Sequence, residues 1–174
     1  MSLIRVSFMI FAVLVLSVML GHNSRIVSAV QAQRQAGSLC TRSERIIFSC
    51  AVRPAGKIAS LCASTDVTRE RGYIQYRFGR SAKVELEYPA SREQSQKQFR
   101  YSHYFRARVD LTEISFSSGD YNYTVFDSYN GEEKPVISEQ GVTVTPVAGG
   151  KDVSFTCRAK AKASFGDLEE ILEQ

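Results

Sequence analysis

The stretch "RGYIQYRFGRSAKVELEYP", residues 71 to 89, alternates apolar with polar or charged side chains on both sides of a Gly79-to-Ala82 break. Period two is the repeat of a strand with one face buried, and two such arms around a glycine-containing break read as a β-hairpin. One face carries Ile74, Tyr76 and Phe78 on the first arm and Val84, Leu86 and Tyr88 on the second. The other carries Tyr73, Gln75 and Arg77, then Lys83, Glu85 and Glu87. Setting Phe78 opposite Val84 brings Tyr76 against Leu86, Ile74 against Tyr88 and Arg77 against Glu85. Sliding until Arg77 meets Lys83 opposes like charges and is disfavoured. Folding accounts for the alternation, and its charged face is expected to be solvated rather than to hold a ligand.

The same grammar recurs. In "TEISFSSGDYNYTVFD" a Ser118-Gly119 connection sets Phe116 against Tyr121 and Ile114 against Tyr123, with Gly119 supplying a positive φ. In "GVTVTPVAGGKDVSFTC" the Gly149-Gly150 pair permits a turn that places Val144 opposite Phe155 and Val142 opposite Cys157. Pro146 cannot donate to a ladder, so its arm should lie at an edge or end early. A turn at Pro54-Ala55-Gly56, with the register centred on Gly56, brings Cys50 opposite Cys62. Residues 90 to 100 and 127 to 135 are polar and read as loops. Phe165, Leu168, Ile171 and Leu172 stand at helical spacing in "SFGDLEEILEQ", so residues 164–174 are expected to form a short amphipathic helix or to fray. Short strands and turns with little helix between them predict an all-β fold, an antiparallel sandwich or small barrel of about eight strands with a short C-terminal helix.

Compartment follows from the N-terminus. Arg5 precedes an apolar run from Val6 to Leu20 that is short for a bilayer span and fits a secretory signal, with processing expected after Ala32. Residues 33–163 then form one disulfide-stapled β domain, with no membrane span after cleavage. The leader takes two arginines and no acids with it, so the formal charge of +4 falls to +2, too weak for the concentrated basic face of a nucleic-acid binder. All four cysteines lie in the exported part, an even count suited to disulfides. The facing positions favour Cys50 with Cys62. By elimination Cys40 joins Cys157, closing a long loop worth roughly 4 to 5 kcal/mol on the chain-entropy model. Nine and eleven residues separate the nearest cysteines, unlike the close pairs of a zinc site.

Candidate chemistry is sparse. His103 is the one histidine of the exported part and lacks a sequence-evident orienting carboxylate, and the acidic loop "DSYNGEE" lacks the EF-hand ligand pattern. No glycine-rich phosphate cradle and no G-x-S-x-G elbow occurs, so no catalytic residue, metal or cofactor is assigned. Tyrosines 73, 101, 104, 121, 123 and 129 are many for one small domain, and tyrosine suits interfaces because it joins a large apolar body to a polar tip. Those in "YSHYFRARV" are least explained by packing. Tyr101, His103, Tyr104, Arg106 and Arg108 are therefore the candidate binding residues.

"FSC", "KIASLCAS", "GYIQYRFG", "VELEYP" and "ISFSSGDYNYTVFD", spanning roughly Cys40 to Asp127, resemble a family of small exported bacterial proteins with no assigned activity. That resemblance implies a Gram-negative envelope location and transfers no catalytic residues. The chain is more weakly similar to the periplasmic inhibitors of C-type lysozyme, small exported β-barrels stapled by disulfides, from which it departs in lacking tryptophan and a lipid-anchor cysteine. The expected function is a non-enzymatic periplasmic or secreted binding module for a protein or envelope polymer, inhibitor-like in one form. The alternatives are an envelope hydrolase using sheet-face carboxylates such as Glu85 and Glu87, and a structural envelope protein without a specific ligand. The sequence sets no oligomeric state.

Overall fold

Alternating segments joined by tight turns pair with their chain neighbours, because closing a short loop costs little conformational entropy. The computed structural model describes residues 33–53 and 56–173. The expected leader over residues 1–32 and the Pro54-Ala55 part of the first turn lie outside the described residues. Ten strands follow in order: β1 (Glu44–Val52), β2 (Lys57–Ser64), β3 (Ile74–Arg80), β4 (Lys83–Tyr88), β5 (Arg100–Arg106), β6 (Val109–Ser118), β7 (Tyr121–Asn130), β8 (Ile137–Pro146), β9 (Val153–Thr156) and β10 (Lys162–Ala163). They form two five-stranded antiparallel sheets, β10-β1-β2-β3-β4 and β5-β6-β7-β8-β9, stacked as a sandwich. The two strands beyond the eight arms of the expected hairpins are β5 and the short β10. Asp127 to Asn130, expected in a loop, continue β7 and pair with both neighbouring strands. Within residues 90–100, Ser95–Gln98 form a 3₁₀ turn and Arg100 opens β5.

The core lies between the sheets. Leu61, Ile74 and Tyr76 face Ile114, Phe116, Val125 and Val142 across it. Phe116 lies 5.0 Å from the Tyr76 ring and stacks on Tyr123 and Tyr88 at 4.9 and 4.7 Å. Phe78, Leu86 and Tyr88 pack against this cluster from the periphery.

Registers differ from expectation in a consistent way. Phe78 pairs with Leu86, Tyr76 with Tyr88 and Arg77 with Glu87, because a bulge at Glu85 opposite Gly79 lengthens the β4 side. The β6–β7 turn is Gly119-Asp120, which pairs Phe116 with Tyr123 and Ile114 with Val125. β8 and β9 pair Val142 with Phe155 and Val144 with Val153, and Pro146 ends its strand. Away from the bulge each change is a slide of two residues, which exchanges partners and leaves side chains on their own faces. Beyond the bulge Val84 pairs with Gly79, an odd shift from its expected partner Phe78.

The first hairpin slides by an odd number, and that changes the disulfides. Val52 pairs with Lys57, so Cys50 meets Ala59, and after a bulge at Ile47, Cys62 meets Ile46. Cys50 therefore joins the inter-sheet core, while Cys62 sits beside Gln75 on the opposite face of the first sheet. The expected pairs Cys50–Cys62 and Cys40–Cys157 are replaced by Cys40–Cys62 and Cys50–Cys157. The second bridge stands where the sheets meet: Arg53 donates its N–H to the Thr156 carbonyl at 3.1 Å and Arg158 to that of Ala51 at 2.8 Å.

Two further expectations are corrected. The C-terminal helix is a single 3₁₀ turn, Gly166–Leu168, although its apolar spacing still docks Phe165, Leu168 and Leu172 into the core. The face bearing Gln75 and Arg77 is not solvated. The segment from Gln33 to Ser43, fastened by Cys40, straps across it, and Arg77 is only 3% exposed.

Candidate functional site

β5 is an edge of the second sheet and returns into β6 through Ala107-Arg108, with Arg108 at a φ of 66°. In a two-residue hairpin the flanking pair, here Arg106 and Val109, exchanges hydrogen bonds, and bonded residues then alternate along each strand. Ser102, Tyr104 and Arg106 thus bond into β6, while Tyr101, His103 and Phe105 turn their main-chain groups outward. The tail confirms this parity: the Tyr101 N–H donates to the Glu173 carbonyl at 2.8 Å, and Arg100 pairs with Glu173 in a parallel bridge. From Ser102 to Arg106 the edge is uncovered among the described residues.

Parity also sorts the five candidate residues. Tyr101 points into the core opposite Ile114 and is buried, so it contributes packing rather than contact surface. His103 lies on the same face farther out, where its Nε2 is 3.0 Å from Asp110 Oδ1 and its ring stacks on Phe105 at 5.7 Å. Tyr104 stands on the opposite face and is 54% exposed. Arg106 donates to Glu132 through both terminal nitrogens, the second at 2.6 Å, and Arg108 donates to the Gly131 carbonyl. The Glu132 hydrogen bond raises the Arg106 pKa, and Arg106 in turn lowers that of Glu132. Reading the sequence missed Phe105, at 73% the most exposed large apolar residue among the described residues, together with Asp110 and Glu132. The period-two parity of β5 was the available signal for Phe105, once Arg106 and Val109 are taken to flank the turn.

The sheet-face carboxylates Glu85 and Glu87 are each held in an ion pair. Glu85 accepts from Lys57 at 2.6 Å, which lowers its pKa, and Glu87 accepts from Arg77 at 2.6 Å. Glu44 is buried under the strap. Burial alone would raise its pKa, but hydrogen bonds from Arg77, the Thr41 N–H and Tyr73, with the Arg77 charge, hold it down at about 2. Such a group stays ionised and does not donate a proton near neutral pH. Cys40, Glu44 and Cys62 converge within 4.8 Å, but both sulfurs are in one disulfide and the carboxylate is taken by Arg77, so the cluster has no thiolate to offer a metal. Among the described residues no helix is long and apolar enough to cross a membrane.

β5 presents an unpaired strand edge flanked by exposed aromatic rings on both faces. Comparison of the chain with family models, with curated proteins and with solved structures returned no match.

Proposed function

We propose that this protein is a non-enzymatic binding module, periplasmic or secreted, that recognises a polypeptide partner by adding a strand to β5. The open edge from Ser102 to Arg106 is the observation that carries this reading. Outward amides and carbonyls at His103 and Phe105 supply main-chain hydrogen bonds to an extended segment, and alternate side chains supply selectivity. Tyr104 lies above that edge and Phe105 with His103 below it, so a docked strand buries apolar area on both faces. Arg106 and His103 already have carboxylate partners, which leaves the edge nearly neutral and favours an uncharged, apolar-rich strand. The two disulfides suit an oxidising compartment, and the resemblance of the "SLCAS" and "YIQYRFG" segments to exported bacterial proteins supports an envelope location. Inhibition of an enzyme is one form such recognition takes.

Selecting peptides from a display library on the immobilised protein, with His103→Pro and His103→Ala in parallel, tests this. Proline at 103 removes an outward donor without breaking a β5–β6 bond. Enriched peptides are expected to bind His103→Ala, to lose at least tenfold on His103→Pro, and to slow amide exchange at His103 and Phe105. Peptides that bind the proline form equally well, or that protect amides elsewhere, refute strand addition.

A further inference from the structure

The sheets end in β10 and β4 on one side of the sandwich and in β5 and β9 on the other. An unpaired edge is a template for another strand, and proteins blunt such edges with short strands, charge, proline or a bulge. β10 is two residues long and β9 four. β4 carries Lys83, Glu85 and Glu87 and is broken by its bulge. β5 has none of these devices: Ser102–Arg106 contains no proline, and its register with β6 runs without a shift. Its charged and titratable side chains are already paired within the chain, Arg106 with Glu132 and His103 with Asp110.

The free edge is also self-complementary. At one end the Tyr101 N–H already donates to Glu173, and at the other the Arg106–Val109 turn leads away, which leaves Tyr104 at the midpoint of Ser102–Arg106. A twofold axis through Tyr104 sets His103 opposite Phe105 of a second copy. These are the residues of the free edge whose main-chain groups point outward, so each such pair exchanges both of its hydrogen bonds. An axis through His103 would instead require the Tyr101 N–H, and one through Phe105 would set His103 against Ala107 in the turn. With the axis at Tyr104, the exposed tyrosine meets its own copy on one face, while Phe105 covers His103 on the other. Ser102 faces Arg106, so no like charges are opposed along the segment.

We propose that β5 pairs with β5 of a second copy about a twofold axis at Tyr104, joining two five-stranded sheets into one, an inference that rests on reading β5 as a strand acceptor. A contact this short belongs to the small, readily dissociated class, so a foreign strand can displace the second copy.

Sedimentation equilibrium of the purified chain should show the mass rising toward twice the single-chain value with concentration, and the His103 and Phe105 amides should exchange more slowly as it does. His103→Pro should hold the single-chain mass throughout, because proline removes a donor on each side of the axis. Cysteine substitutions read the register. Opposed residues of a non-hydrogen-bonded pair stand about 4.5 Å apart at Cα, within reach of a disulfide, so oxidised Tyr104→Cys should run as a covalent dimer. Ser102→Cys should not, since its two copies lie about 14 Å apart along the strands. A single-chain mass at every concentration up to about 1 mM overturns self-pairing. So does a dimer that His103→Pro leaves intact, or one that Ser102→Cys links as readily as Tyr104→Cys. Peptide binding at β5 is measured separately, so strand addition survives a chain that stays single and falls only on its own test.

Discussion

Arg77 is tolerated under the strap because its guanidinium is fully satisfied. Its Nε donates to Glu87, one terminal nitrogen to Glu44 and the Leu39 carbonyl, and the other to Glu44 and Gln75. These contacts use all five donors, the condition under which a buried charge avoids a large desolvation loss. The network makes stability depend on pH with a definite sign. Glu44 has its pKa lowered on folding from 4.5 to about 2, so its contribution is complete above about pH 5 and is lost as pH falls toward 2. The lost amount is on the order of 3 kcal/mol. Urea unfolding at pH 7 and pH 3 should show about 2 kcal/mol of this loss in the wild type and a flatter profile in Glu44→Gln. The substitution also lowers stability at pH 7 by about 3 kcal/mol or more, because it strips a buried cation of its main partner. Parallel pH profiles in the two proteins would contradict this. A carboxylate opposite Arg77 was legible in the alternation, although it is Glu87 and not Glu85. Glu44 was not legible, since nothing local to residue 77 signals a partner 33 positions away.

At the level of strands and turns, period-two alternation identified inward faces correctly in three hairpins, Val84 beyond the β4 bulge excepted, although their registers were displaced by two residues. A slide of two is invisible to a pattern of period two, so turn geometry decides. Gly79 is the deciding residue in the β3–β4 hairpin, with a φ of 151°. A Cβ there would stand 2.5 Å from the Lys83 carbonyl oxygen and 2.7 Å from the Glu85 nitrogen. Gly79→Ala is therefore expected to lower the urea midpoint by the equivalent of about 2 kcal/mol or more. Gly119→Ala sets the comparison, since its Cβ would meet nothing within 4 Å and only the backbone conformation is penalised. Equal losses at the two sites would rule out the close approach across the bulge. The same reasoning explains Tyr101. Its neighbours in sequence suggested surface, whereas parity from the Arg106–Val109 turn sends it inward and brings out Phe105.

For the molecule as a whole, the two disulfides do different work. Cys40–Cys62 spans 22 residues and holds the strap on the first sheet, while Cys50–Cys157 spans 107 and joins the two sheets. On the chain-entropy model the shorter closure stabilises by roughly 3.5 kcal/mol and the longer by roughly 5. Replacing Cys50 and Cys157 together with serine should thus lower stability more than replacing Cys40 and Cys62, by about 1 to 2 kcal/mol in urea unfolding without reductant. The reverse order would show that the strap, not the sheet junction, limits stability. The all-β class, most inward faces of three hairpins and the even set of half-cystines were legible in the sequence, since periodicity and turn chemistry act over a few residues. The tertiary structure alone decided which cysteines bond, that Arg77 is buried, and that β5 keeps an open edge. Each of these rests on groups far apart in the chain, whose mutual approach becomes favourable only after both sheets have formed.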